Sequence, residues 1–176
     1  MNYVKLICIA VLLLGVWFAT SLIPEDEPIQ EQDMEQSINN SNLPPALKMY
    51  FSLLHYSEKY NIPKKYAFAI AYAETGYRGP FHWDYNPSQI SSANAMGPMQ
   101  IMPSTANWIA KEIIPHQELK TNIPLNVELS MQLVSNLKKR YKDWKVVFGY
   151  YNTGHPIVNN YAIRVSNGYY KWDKAN

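Results

Sequence analysis

The sequence predicts an all-α domain behind an N-terminal apolar segment and an acidic linker. Three observations lead there. Apolar residues recur at helical spacing in several windows, prolines stand where helices would begin, and strand signals are weak throughout.

The elements follow in chain order. Leu6–Ile23 is a nearly unbroken apolar run after a short region carrying Lys5, long enough for a membrane-spanning helix or a secretory signal. Lys5 before the run and acidic residues after it place the start inside and the rest outside. Residues 24–42 hold six acidic residues and no Lys or Arg, with few large apolar side chains, and read as a flexible tether. Residues 43–176 form the expected domain, long enough for one real core. This part carries 15 Lys and Arg against eight Asp and Glu, a net +7 within a chain of net charge +2. That charge suggests an anionic partner: cell-wall polymer, nucleic acid or membrane surface. The only cysteine, Cys8, lies in the apolar run, so the remainder has no thiol.

Within the domain, Pro44 and Pro45 open a first helix with Leu47, Tyr50, Phe51 and Leu54 on one stripe, ending near Tyr60. Pro63 opens a second, "KKYAFAIAYAET", which stops at Gly76, a good residue just past a helix end. Pro103 starts a third, about Ser104 to Glu112. A fourth covers Asn126 to Tyr141, with Leu129, Leu133, Leu137 and Tyr141 every four residues. Asp143 caps a fifth through Tyr151, and a sixth covers Ile157 to Val165. Residues 77–98, rich in Pro, Gly and Ser, read as a long structured loop, and such loops are usually functional.

Glu74 is the candidate for chemistry. It ends an alanine-rich helix with Ala67, Ala69, Ala71 and Ala73, whose small side chains permit close packing. Partial burial would raise its pKa, and the negative end of the helix dipole would push the same way. A carboxyl group protonated near neutral pH can act as a general acid. A solvated helix-end glutamate is the plain alternative. The stretch "NAMGPMQIMPSTA", Asn94 to Ala106, is too proline-rich for a strand or a helix interior. It reads as an ordered apolar loop ending at a helix. His55, His82, His116 and His155 show no close metal-ligand spacing, although a site drawn from distant histidines is left open. No Gly-rich phosphate loop or Ser-His-Asp set can be recognised, and no cofactor is expected.

Three segments, read together, carry more. "AETGY" (Ala73 to Tyr77), "AMGPMQIMPSTA" (Ala95 to Ala106) and "GYYNTG" (Gly149 to Gly154) resemble, in order and spacing, the soluble lytic transglycosylase family of peptidoglycan-cleaving enzymes. The resemblance covers roughly Leu47 to Tyr170 and implies a lysozyme-like helical domain with a long structured active-site loop. It implies Glu74 as the catalytic acid and base. It implies that Gly97 lets the backbone pass close to the sugar groove, that Met99 forms an apolar wall, and that Gln100 offers a donor and an acceptor to the glycan. It implies that Tyr151 positions the acid and that Asn152 supports the groove. Thr75 and Tyr77 join the expected substrate-binding set. Thr75 stands where the family has serine, Pro98 where it has leucine and Tyr150 where it has alanine, and "RGPFHWDYN" lengthens the segment after the acid. These departures bear on subsite shape.

The implied reaction is lytic cleavage of the bond between N-acetylmuramic acid and N-acetylglucosamine, leaving 1,6-anhydro ends, without metal or cofactor. The implied partner is the peptidoglycan glycan strand rather than nucleic acid, with the membrane added if Leu6–Ile23 is uncleaved. The implied place is exported: periplasm or cell envelope. A cell-wall, secretion, conjugation or phage setting is left open. A hydrolytic muramidase using Glu74 and Asp84 is the rival enzyme. A non-catalytic peptidoglycan-binding module is the rival from another class.

Overall fold

The computed structural model describes residues 36–38 and 41–172. The expected N-terminal segment and most of the expected tether lie outside these residues. Among the described residues no helix is long and apolar enough to cross a membrane.

Seven helices lie wholly among the described residues, in order: α1 (Pro45–Lys59), α2 (Lys64–Thr75), α3 (Pro103–Ala110), α4 (His116–Thr121), α5 (Ile123–Tyr141), α6 (Trp144–Thr153) and α7 (Asn160–Ser166). All lie within one unit, Glu35–Asn176. The fold is all-α, as the sequence predicts. Its only β-type pairings among the described residues are isolated bridges that join Met96 to Ile90 and to Ile101.

Helix α5 is the axis of the domain. It packs against α1, α3, α4 and α6, while α7 lies against α2 and α6. Its side chains Val127, Met131 and Val134 are fully buried, and Leu129, Leu133 and Leu137 are buried beside them. It begins at Ile123, three residues before the expected start. Asn122 caps it by accepting the Leu125 N–H at 3.2 Å, and Pro124 sits in the first turn, where a missing N–H costs nothing.

The remaining differences from expectation have local causes. In α1 the buried stripe is Ala46, Met49, Leu53 and Tyr56, with Phe51 exposed, so the true face lies beside the predicted one. Buried Ser52 and Ser57 widen that face, because both hydroxyls return to backbone carbonyls of their own helix. A pattern count that scores only apolar residues misses them. Helix α3 stops at Ala110 because Lys111 turns left-handed, with φ of 61°. Helix α4 was not expected: six residues are too few to display a period. Helix α7 starts at Asn160 rather than Ile157, because Asn159 is extended and caps it through the Ala162 N–H at 2.9 Å. Ile157 and Val158 are consequently exposed.

The segment before α7 returns tightly onto α6. A Cβ built on Gly149 would lie 1.6 Å from the Ile157 carbonyl oxygen. Only a residue without a side chain lets the two backbones approach so closely. Gly149→Ala is therefore expected to lower the unfolding free energy by about 1–3 kcal/mol or more, since the obstacle is backbone. Urea denaturation checks this, and an unchanged midpoint would contradict the close approach.

Candidate active site

Glu74 occupies the last turn of α2. The following residue but one, Gly76, is left-handed at φ 69°. Its N–H and that of Tyr77 close onto the Tyr72 and Ala71 carbonyls, ending the helix sharply. The Glu74 side chain is half-buried, and its Oε1 accepts a hydrogen bond from the Tyr161 hydroxyl of α7 at 2.5 Å. Burial raises its pKa from 4.5 to about 7, and the Tyr161 bond offsets part of that rise. The Tyr161 hydroxyl is itself pushed well up by burial and then by the Glu74 charge. It stays a donor across the physiological range.

Tyr151 does not bond the Glu74 carboxyl group. Its hydroxyl donates to the Met99 carbonyl at 2.7 Å, which ties α6 to the loop before α3. Burial, and after it the Glu74 charge, push its pKa up, so it stands near the carboxyl group without bonding it. The tyrosine that contacts Glu74 is Tyr161. No motif in the sequence marks it. The one available signal was general: a desolvated carboxylate needs a donor, and the last helix carries a tyrosine near its start.

The loop residues differ from expectation in a consistent way. Thr75 is buried, and its hydroxyl bridges to the Pro98 carbonyl at 2.8 Å and to the Tyr85 hydroxyl at 2.9 Å. It fastens the helix end to the loop. Tyr77 is buried in the core, with its hydroxyl on the Ala46 carbonyl at 2.8 Å and its ring against Tyr85 and Phe68. Met99 is fully buried, so its side chain packs inward instead of walling a groove. Gly97 faces neighbouring protein: a Cβ there would lie 2.4 Å from Asn126 Nδ2 and 2.6 Å from the Leu119 carbonyl oxygen. These four side chains or positions support the site from behind. The physical reason is shared: a loop must bury its own apolar residues and pair its own backbone before it can present anything.

Gln100 is half-buried in a left-handed conformation, φ 49°. Its Nε2 donates to the Gly97 carbonyl at 2.8 Å and to the Gln89 carbonyl at 3.1 Å. Both amide hydrogens are thus committed to the loop, and Oε1 is the polar atom they leave. Asn152 is exposed, and its Oδ1 accepts from Asn159 Nδ2 at 2.9 Å. Asp84 is exposed and turned to Arg78 and His82, with Oδ1 at 3.7 Å from Arg78 Nη2 and 3.4 Å from His82 Nε2.

One supporting residue was not foreseen. Asn126, in the first turn of α5, is fully buried. Its Nδ2 donates to the Met96 and Leu119 carbonyls at 2.9 and 2.8 Å, and its Oδ1 accepts the Met99 N–H at 2.9 Å. One amide therefore satisfies three backbone groups from two segments, and Gly97 leaves the room for it. In the sequence Asn126 marks only the start of a helix, because a lone Asn gives no sign of distant backbone partners.

A family model described as "Transglycosylase SLT domain" matches residues 52–171. A protein of Haemophilus influenzae named "Putative soluble lytic murein transglycosylase" is 30% identical over 171 residues, covering 89% of this chain and 27% of the relative. The chain spans about a quarter of the length of that curated relative.

Asn126→Ala is expected to lower stability by about 2–4 kcal/mol, because it strands buried backbone groups as well as removing their bonds. Amide exchange should quicken at Met99 before the rest of the chain. Unchanged protection at Met99 would show that the loop is held by something else.

Proposed function

The chain belongs to the transglycosylase SLT domain family, and from that premise we propose that its domain cleaves peptidoglycan glycan strands between N-acetylmuramic acid and N-acetylglucosamine with Glu74 as the one acid and base. In this reading protonated Glu74 gives its proton to the linking oxygen as the glycosidic bond breaks. The substrate's own N-acetyl group stabilises the oxocarbenium-like centre. The Glu74 carboxylate then takes the proton of the C6 hydroxyl, whose oxygen closes onto the anomeric carbon. The product ends in a 1,6-anhydro ring, and no water is consumed.

The observation that carries the reading is the setting of Glu74. Its pKa of about 7 comes from burial, with Tyr161 opposing. At that value the group can both give and take a proton near neutrality. Tyr161 favours the carboxylate, the form required for the second step. A standard glycosidase places a second carboxylate about 5–10 Å from the first. Asp84, the candidate for that role, is exposed and engaged by Arg78 and His82, which favours the lytic reading over the muramidase. Export across the cytoplasmic membrane belongs to the same proposal, because the substrate lies outside it. Leu6–Ile23 would supply the signal or anchor.

Glu74→Gln keeps the shape and removes the transferable proton, and its rate should fall about 10²- to 10⁴-fold. Wild-type product should be lighter by one water than hydrolysed ends, and Asp84→Asn should leave product and most of the rate intact. Reducing ends that vanish in Asp84→Asn would establish the muramidase. Near-wild-type turnover by Glu74→Gln would overturn the assignment of the acid.

The pH dependence has a definite sign. First-step activity should fall as pH rises through about 7, and Tyr161→Phe should move that limb to higher pH by removing the bond that stabilises the carboxylate. Stability follows the same group. The native state binds the proton more tightly than the unfolded chain, so stability declines as pH rises from 4.5 to about 7. Glu74→Gln should abolish that decline, worth at most about 3 kcal/mol. A pH–rate limb that Tyr161→Phe leaves in place would contradict the pairing.

A further inference from the structure

Several of the domain's lysines gather on a face that the proposed proton transfers do not use. Lys64 and Lys65 open α2, Lys138 lies in the last turn of α5, and Lys142 and Lys145 flank the turn from α5 into α6. Lys64, Lys138 and Trp144 line one concavity of about 630 Å³. Lys138 Nζ stands 4.7 Å from the centre of the Trp144 ring, and that ring is 4.8 Å from the Tyr66 ring. Lys65 Nζ in turn stands 4.9 Å from the centre of Tyr66. The Lys138 ammonium also donates to the Lys142 carbonyl. Lysines and rings thus form one continuous surface. We propose that this face docks the domain on a membrane surface of anionic phospholipid. The docking takes from the proposed function only the export that brings the domain beside such a surface.

Helix stability does not account for the charge. Lys64 and Lys65 stand in the first turn of α2, and Lys145 stands in the first turn of α6. There the positive end of the helix dipole disfavours a cation. Neither first turn carries an acidic residue. Lys142 adopts a left-handed conformation at the end of α5, φ 62°, where glycine or asparagine is the usual residue. Four of these lysines therefore occupy positions that local preference gives to other residues, and only Lys138 fits the dipole. Two acids adjoin them. Glu58 Oε2 lies 3.8 Å from Lys64 Nζ, and Asp143 Oδ1 accepts the Lys145 N–H at 2.8 Å. Five lysines against two carboxylates leave the face positive.

The composition and orientation of the face suit lipid. An ammonium is a point charge on a flexible stem and adapts to headgroup phosphates that vary in position, whereas a fixed anion site favours the planar fork of arginine. Trp144 and Tyr66 are half-buried among the ammonium groups. Aromatic rings of this amphipathic kind favour the headgroup level of a bilayer. Lys64 and Glu74 lie on one helix, about 15 Å apart along its axis. Lys138 and Asn126, which holds the loop before α3, lie about 18 Å apart along α5. Both helices run from this face toward the proposed active site, so docking leaves Glu74 on the side away from the lipid, open to a glycan strand.

The test follows lysine acetylation by mass spectrometry in the full chain on two kinds of vesicle. One is phosphatidylcholine alone, and the other contains about one-third phosphatidylglycerol. Leu6–Ile23 is common to both, so only the lipid charge differs. On the anionic vesicles Lys64, Lys65, Lys142 and Lys145 should react about fivefold more slowly or less. Lys111, beyond the end of α3, should keep its rate. Salt at about 0.5 M should erase the difference. In the triple variant Lys64→Glu, Lys65→Glu, Lys142→Glu, the remaining Lys145 should lose its protection. Tm should be kept or raised, because glutamate suits the first turn of α2. Equal rates on the two vesicles, or slowing at Lys111 as large as at Lys64, would overturn the docking. Slowing by soluble nucleic acid with none on vesicles would overturn it too, and would assign the face to that polyanion. Failure of the Glu74 reading looks different: anhydro ends would be absent while the lysine protection stood.

Discussion

The bond between Tyr161 and Glu74 joins residues 87 positions apart in sequence and helps to set the ionisation of that carboxyl group. A carboxyl group at the end of an alanine-lined helix is desolvated, and desolvation alone would hold it protonated. A single phenolic donor restores part of the preference for the charged form. The result, a pKa of about 7, is the balance of those two effects. Much of the architecture serves to keep that pair in register. Helix α2 carries the carboxyl group, α7 carries the tyrosine, and α7 packs on both α2 and α6.

The loop between α2 and α3 is held by polar groups that never reach its surface. Thr75 ties it to the end of α2, Tyr151 ties it to α6, and Asn126 ties it to α5. Each side chain bonds a backbone group, the partner a loop lacks when no strand or helix supplies one. The prolines and buried methionines of the loop are then explained together. Pro98 fixes a turn whose carbonyl Thr75 reads, and Met99 turns into the core while its backbone engages Asn126 and Tyr151.

Much of this was legible in the sequence, and the illegible part has a common character. Helix α2 and its stop at Gly76 could be read because propensity, packing pattern and cap agree locally. The stripe of leucines in α5 could be read for the same reason. Glu74 could be singled out as a carboxyl at the end of an alanine-rich helix, and the three motifs named the family. Tyr161 and Asn126 could not be read, because their value lies in partners 87 and about 30 residues away. Thr75, Tyr77, Gly97 and Met99 were placed at the sugar surface because they belong to motifs. Motif membership does not distinguish a residue that touches a ligand from one that holds the loop that does.

The proposed chemistry turns on one ionisation, and the carboxyl group of Glu74 can be followed directly. Carbon-13 labelling of the glutamate side chains and an NMR titration of the wild-type protein against Glu74→Gln would assign its resonance without any assay. The midpoint should lie near 7, well above the ordinary carboxylate value, and move higher still in Tyr161→Phe. A midpoint near 4.5, unmoved by the loss of the tyrosine hydroxyl, would contradict it.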